Sequence, residues 1–108
     1  MDRKKLDKLR LKLEAMRGVP QKSRDVASLV EHLGRKREDR GKEPTWVCED
    51  FDLPNLTIPM HPGDLKRGTQ NNILNQIEDD FIAWELKLDS DERYAEALKI
   101  ERKKRGLE

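Results

Sequence analysis

The stretch LTIPMHPGDLKRGT, residues 56–69, decides the fold predicted for this chain. Its first three residues are apolar or β-branched and predict a short strand, which the prolines that follow are expected to end. Thr69 is the predicted N-cap of the next helix, because its hydroxyl can accept a hydrogen bond from a free N–H of the first turn. Apolar residues then recur at the spacing of one buried helix face, namely Ile73, Ile77, Phe81, Trp84 and Leu88. The segment thus predicts a strand followed by an amphipathic helix.

Two further amphipathic helices are predicted before this segment. In residues 3–17, apolar residues recur every three or four positions, and lysines and arginines fill most of the others. The Gly-Val-Pro that follows is expected to end that helix, because proline cannot continue it. A second helix should begin at a cap provided by Ser23 or Asp25 and stop at Gly34.

Short extended runs predict the sheet. Residues 45–48 are β-branched and aromatic, and with residues 56–58 they predict an antiparallel hairpin. Residues 35–42 show no apolar alternation and are not predicted as a strand, although they can pair at a sheet edge. Near the end of the chain, Asp89 and Glu92 form a capping pattern that predicts a separate C-terminal helix.

These elements predict an α+β fold with a small antiparallel sheet of two or three strands and helices on one face. The expected parts are a basic amphipathic helical extension over residues 1–19, an α+β domain over 20–88 and a charged C-terminal helix over 89–108. The two ends are treated as extensions because their charge density leaves few residues for a core.

Composition limits the classes of function. Of 108 residues, 23 are Lys or Arg and 22 are Asp or Glu, so the net charge is only +1, and any nucleic-acid binding has to come from local patches. The single cysteine excludes an internal disulfide. No apolar run approaches the roughly 18 residues that cross a membrane, and no secretory signal is evident. The sequence therefore predicts a cytoplasmic protein without a membrane partner.

The usual motifs of large enzyme classes are missing from the sequence. It contains no nucleophile elbow, phosphate-binding loop, dinucleotide fingerprint or zinc-ligand spacing. We therefore expect neither a metal nor another cofactor. The remaining candidates for chemistry lie just before the first strand and just after the second strand of the predicted hairpin.

The start of the helix at Lys66, Arg67 and Thr69 combines cationic side chains with free backbone N–H groups, which suits a phosphate. The simpler interpretation, favoured for these residues taken alone, is a turn and cap with solvated cations. His61, just before this turn, can act as an acid or base or as a phosphate donor. A loop histidine bonded to a backbone carbonyl is at least as good an interpretation of its position.

The residues at the start of the hairpin include Arg40, Lys42, Glu43 and Trp46. The two cations can bind phosphate, and Glu43 can serve as a general base if desolvation raises its pKa. A solvated turn carboxylate explains Glu43 equally well. Trp46 can stack on a base, but core packing is the favoured interpretation.

Four motifs in this order resemble the HicA toxins of bacterial and archaeal toxin–antitoxin modules. They are Ser-Arg-Asp-Val-x-x-Leu-x-x-x-Leu-Gly at 23–34, Gly-Lys-x-x-x-Trp at 41–46, Ile-Pro-Met-His-Pro at 58–62 and Leu-Lys-Arg-Gly-Thr at 65–69. The likeness covers about residues 23–82. It implies a fold similar to the double-stranded-RNA-binding domain, metal-independent cleavage of messenger RNA, and neutralisation by a HicB-like antitoxin.

One position departs from the pattern of that family. Proteins that resemble HicA carry a histidine after Gly-Ser or Gly-Lys at the start of the hairpin, and catalysis is assigned to it, whereas this chain has Glu43 there. An ionised carboxylate only accepts hydrogen bonds, so Glu43 can protonate a leaving oxygen only if its pKa is strongly raised. The sequence therefore predicts RNA binding and leaves cleavage by His61 and Glu43 as a hypothesis.

Two alternatives stay open at this stage. The same fold can be a non-catalytic module that binds RNA or a protein partner. The chain can also be a helical adaptor whose leucine seam in residues 6–16 pairs with another helix, although about two heptads are too short for a stable coiled coil alone.

Overall fold

The structure is a computed structural model that describes residues 1–39, 41, 43–104 and 106. Three helices and three strands follow the order α1 (Arg3–Met16), α2 (Ser23–His32), β1 (Lys36–Glu38), β2 (Thr45–Val47), β3 (Leu56–Thr57) and α3 (Arg67–Lys104). The predicted α+β class with a small antiparallel sheet is confirmed. In the described ranges, no helix is both long enough and apolar enough to span a membrane.

The sheet has the order β1-β2-β3, and both neighbouring pairs are antiparallel. Its register sets Arg37 opposite Trp46 and Trp46 opposite Leu56, so the predicted hairpin of β2 and β3 is confirmed. β1 was not predicted as a strand. It pairs at the edge, because backbone hydrogen bonds form there without apolar side chains. Arg37 covers Trp46, with its guanidinium carbon 5.4 Å from the ring centroid.

The hydrophobic core joins the sheet to all three helices. Trp46 is fully buried, which confirms core packing, and its indole N–H donates to Glu31 at 3.1 Å. The leucines of α1 are also buried in this core, so α1 packs against the elements of residues 20–88. An apolar helix face is stable only when it packs against another apolar surface, and α1 packs on α2 and α3. The buried side chains of this face are Leu6, Leu9 and Leu13.

The helix caps differ from those predicted. Lys22 is the N-cap of α2 and makes no side-chain cap bond, while Ser23 is the first helical residue and its hydroxyl donates to the carbonyl of Pro59. The Ser23 hydroxyl, which the sequence predicts as a helix cap, is therefore used in a hydrogen bond to a residue distant in the chain. Helix α3 begins at Arg67, so Thr69 lies inside its first turn and is not the N-cap.

Helix α3 is continuous over 38 residues, so the prediction of a separate C-terminal helix was wrong. No glycine or proline interrupts it between Thr69 and Lys104. The acidic residues that suggest a new cap are instead held on the helix surface: Arg3 donates to Asp89 at 2.6 Å and to Glu92 at 3.3 Å. A capping pattern that no glycine or proline precedes is compatible with an uninterrupted helix.

A buried ion pair connects the sheet to α3 and was not anticipated from the sequence. Arg35 donates through Nε and Nη2 to the two oxygens of Asp80, at 2.7 and 2.8 Å, and both side chains are 2% exposed. Its remaining Nη1 donates to the carbonyls of Trp46 and Pro54, each at 3.1 Å. This bidentate arrangement satisfies a guanidinium and a carboxylate that would otherwise be costly to bury.

A half-exposed ionic cluster connects α1 to α3. Glu78 accepts hydrogen bonds from Arg10 and Arg17, and the Arg10 guanidinium carbon lies 4.5 Å from the ring centroid of Phe81. Burial alone would raise the pKa of Glu78, but the hydrogen bonds and charges of the two arginines outweigh burial and lower it below 4.5.

Folding stability is therefore expected to depend on the ionisation of Glu78. Its lowered folded pKa means that its stabilising contribution is complete above the unfolded value of 4.5 and is lost as the pH falls below that value. Urea unfolding of Glu78→Gln should show a lower stability at pH 7 and a shallower loss between about pH 5 and about pH 3. Asp7→Asn, an exposed carboxylate of α1, is the control. If Glu78→Gln lost stability with falling pH as steeply as the wild type, Glu78 would not be the group responsible for that loss.

Candidate nucleic-acid interface

The segment between β3 and α3 is fastened to the start of α2. The backbone N–H of Leu65 donates to the carbonyl of Gln21 at 2.8 Å, and Lys22 forms an isolated antiparallel bridge with Asp64. With the bond from Ser23 to the Pro59 carbonyl, these contacts hold residues 59–65 against the α2 N-terminus. They bring cations that are far apart in sequence to one side of the molecule.

A first groove, of about 470 Å³, lies on this segment and contains His61. Its cationic wall comes from Lys22 and Arg24 at the start of α2. His61, Lys22 and Arg24 are all exposed. The free N–H groups at the start of a helix add positive potential there. The remaining lining residues are Ser23, Met60, Pro62 and Gly63.

His61 has a defined hydrogen-bond partner. Its Nδ1 lies 3.0 Å from the carbonyl oxygen of Pro62, and because a carbonyl only accepts, Nδ1 is the donor. In the neutral ring, Nε2 then carries the lone pair that can accept a proton. This contact agrees with the interpretation of His61 as a loop histidine bonded to a backbone carbonyl. It also leaves Nε2 unprotonated, as a general base requires. Both interpretations of His61 are therefore compatible with its geometry.

A second groove, of about 850 Å³, lies on the other side of the bridge between Lys22 and Asp64. It contains Arg67, which was predicted to bind phosphate, and Arg17, which was not. Its other polar residues are Asp64, Gln70, Asn71 and Asn75, and its apolar floor includes Val19, Pro20 and Leu65. Gln70 is buried and shapes the groove by donating to the carbonyls of Met16 and Val19.

The predicted site residues are thus only partly brought together. His61 and Arg67 line different grooves, Lys66 is exposed and Thr69 is half-buried. Arg40 and Lys42 lie outside the described residues.

Glu43 is exposed, and within the described ranges no hydrogen bond joins it to His61. Strand β2 begins at Thr45, which pairs with Thr57 at the end of β3, so the residues before β2 and those after β3 leave the sheet at the same end. Glu43 and His61 therefore lie at the same end of the sheet.

Sequence inspection missed three of the groove cations, Arg17, Lys22 and Arg24. Each belongs to a helix end that is distant in the chain from residues 59–67, and the contacts of residues 21–23 with residues 59–65 bring these helix ends beside that segment. The one available signal was the Lys-Ser-Arg sequence at a predicted helix start, where a phosphate is favoured. Among the described residues, no group of three His, Cys, Asp or Glu side chains is arranged to hold a metal ion.

Comparison of this chain with protein-family models, with curated proteins and with solved structures found no match. The likeness to HicA toxins therefore stays a prediction from the sequence motifs.

Proposed function

We propose that this chain is an RNA-binding toxin of the HicA type, which acts on messenger RNA in the cytoplasm and is neutralised by a HicB-like antitoxin. The observation that carries the proposal is the juxtaposition of His61 with Lys22 and Arg24 around one open groove. Two cations and a proton-transfer group at one groove match the needs of phosphodiester binding and cleavage.

The chemistry would use the chain's own side chains. Lys22 and Arg24 neutralise the phosphate, and Nε2 of His61 removes the proton of the adjacent ribose 2′-hydroxyl. The 2′ oxygen then bonds to phosphorus while the bond from phosphorus to the 5′ oxygen breaks. The leaving oxygen takes a proton from the imidazolium or from water, which gives a 2′,3′-cyclic phosphate and a 5′-hydroxyl. Glu43 at the same end of the sheet would assist by accepting a proton.

A second candidate function, RNA binding without cleavage, is favoured by one specific observation. Glu43 occupies the position of the family's catalytic histidine but is exposed and makes no hydrogen bond to His61. On this alternative the grooves still hold RNA, and the loss of the histidine has removed cleavage.

Cleavage is tested by incubating RNA with the wild-type chain and with histidine variants. We expect His61→Ala to lower the cleavage rate by about 100-fold or more, the loss typical of removing a general acid or base. His32→Ala is the matched control, because His32 is an exposed histidine bonded to the Ser28 carbonyl at 2.7 Å, away from the groove residues. Equal cleavage by His61→Ala and wild type would contradict the mechanism. Binding without any product in the wild type would select the non-catalytic alternative.

RNA binding is tested separately by titration at several salt concentrations. The double variant Lys22→Ala, Arg24→Ala should bind more weakly, and its log–log salt slope should fall by about 0.7 for each phosphate of single-stranded RNA that is no longer neutralised. The exposed cations Lys8 and Lys12 of α1 provide the control double variant. If wild type fails to bind RNA at low salt, both RNA functions are wrong.

A further inference from the structure

The C-terminal half of α3 projects away from the body of the protein. All described side chains from residue 90 to residue 104 are exposed, and the molecule is 62 Å long but only 29 and 16 Å across. Apolar side chains nevertheless lie on this part: Tyr94 is 71% exposed, Leu98 is 42% exposed and Ile100 is 48% exposed. Tyr94, Ala97 and Leu98 share one face, because residues three and four apart are neighbours on a helix.

The charges of this segment are divided between its two halves. Residues 89–96 carry four carboxylates and one arginine, a net charge of −3, and ion pairs of Asp89 and Glu92 with Arg3 and of Asp91 with Lys87 offset part of it. Residues 97–104 carry four cations and one glutamate, a net charge of +3. The segment is therefore complementary to a second copy of itself that runs in the opposite direction, and it would repel a parallel copy.

We propose that residues 89–104, which we term the projecting segment, dock against the projecting segment of a second copy of this chain to form an antiparallel pair. A two-fold axis between Glu96 and Ala97 brings Tyr94 of one copy next to Leu98 of the other. The same axis sets Asp91 of one copy beside Arg102 of the other. Such an interface is self-complementary, as a two-fold symmetric contact requires.

The shape of the molecule permits this pairing. Each body is attached to the N-terminal end of its projecting segment, so an antiparallel pair keeps the two bodies at opposite ends. The segment is 16 residues, or about 24 Å at the rise of an α-helix. Two apolar side chains and their neighbours make a small interface, so the pair forms in a concentration-dependent equilibrium.

A charge division of this kind also favours a solitary helix, because carboxylates suit its N-terminal end and cations its C-terminal end. That effect accounts for Arg102, Lys103 and Lys104, which lie in the last turn of α3, but not for the carboxylates. The carboxylates of the projecting segment lie more than 20 residues after the start of α3, where the macrodipole has little influence. Self-association also covers Tyr94 and Leu98, which a solitary helix leaves in water.

Sedimentation equilibrium of the full chain over a wide range of concentrations tests the pair. At low salt, the weight-average mass should rise from 12.7 kDa towards twice that value, and added salt should reverse the rise. Leu98→Asp should keep the chain monomeric at every concentration. Leu11→Asp, which alters an exposed leucine of α1, should associate like the wild type.

Charge-reversed variants test the antiparallel direction. Asp91→Lys with Glu96→Lys makes the projecting segment basic, and Lys99→Glu with Arg102→Glu makes it acidic. Each variant alone should stay monomeric, and an equimolar mixture should recover the dimer mass. A monomeric wild type, or self-association that neither Leu98→Asp nor charge reversal weakens, would overturn the proposal. RNA binding is unaffected by these outcomes, because the grooves lie on the body.

Discussion

Replacing Asp80 by alanine is expected to lower the free energy of unfolding by about 3–5 kcal/mol, the largest effect of any single substitution proposed for this chain. The carboxylate is buried and holds Arg35 through two hydrogen bonds at 2.7 and 2.8 Å. Without it, a guanidinium stays in the core with two carbonyls as its only partners. A domain of this size has a stability of about 5–15 kcal/mol, so this loss is a large fraction of the total.

The measurement is urea or thermal unfolding monitored through the two tryptophans. The control is Lys87→Ala, because Lys87 forms an exposed ion pair with Asp91 on α3 and such pairs contribute about 0–1 kcal/mol. The double variant Arg35→Met, Asp80→Leu should recover only part of the loss. It removes the unpaired charge but leaves the Trp46 and Pro54 carbonyls without their donor. A loss below about 1 kcal/mol in Asp80→Ala would show that the pair does not stabilise the fold.

The second large effect is expected at Leu13 on α1. This side chain is fully buried against the rest of the core, so Leu13→Ala removes apolar packing and leaves a cavity. We expect a loss of about 2–5 kcal/mol in the free energy of unfolding, measured by urea titration. The same substitution tests whether residues 1–19 belong to the domain or extend from it.

Leu11 provides the control on the same helix. It is 70% exposed, and Leu11→Ala removes the same atoms without disturbing the core, so its effect should stay within about 0.5 kcal/mol. Equal and small losses at both positions would mean that α1 is a dispensable extension. Such a result would also restore the adaptor hypothesis, in which the leucine seam is available to another helix.

Local sequence patterns were sufficient for most of the elements. The leucine spacing of residues 6–13 predicted α1, and the stripe from Ile73 to Leu88 predicted the core face of α3. Period and propensity are properties of neighbouring residues, so a single sequence carries them. The edge strand β1 was missed for the same reason, because its three charged residues pair through their backbone and have no apolar alternation.

The site was less predictable than the elements. His61 and Arg67 were selected from the chain, but their separation into two grooves and the arrival of Arg17, Lys22 and Arg24 depend on contacts between distant segments. Backbone pairing of residue 22 with residue 64 creates that arrangement. The sequence pattern of a single segment therefore cannot predict which cations share a groove.

The sequence by itself determined the α+β class and the elements α1, α2, β2, β3 and the first part of α3, and it favoured burial of Trp46. Only the tertiary structure decided that α1 is part of the core, that Arg35 and Asp80 pair inside it, and that α3 continues past Asp89. Local propensity acts through adjacent residues, whereas burial and charge pairing depend on which surfaces meet after folding. The strand-to-helix segment 56–69 shows both effects: its strand and helix follow from its own residues, and the grooves beside it follow from α1 and α2.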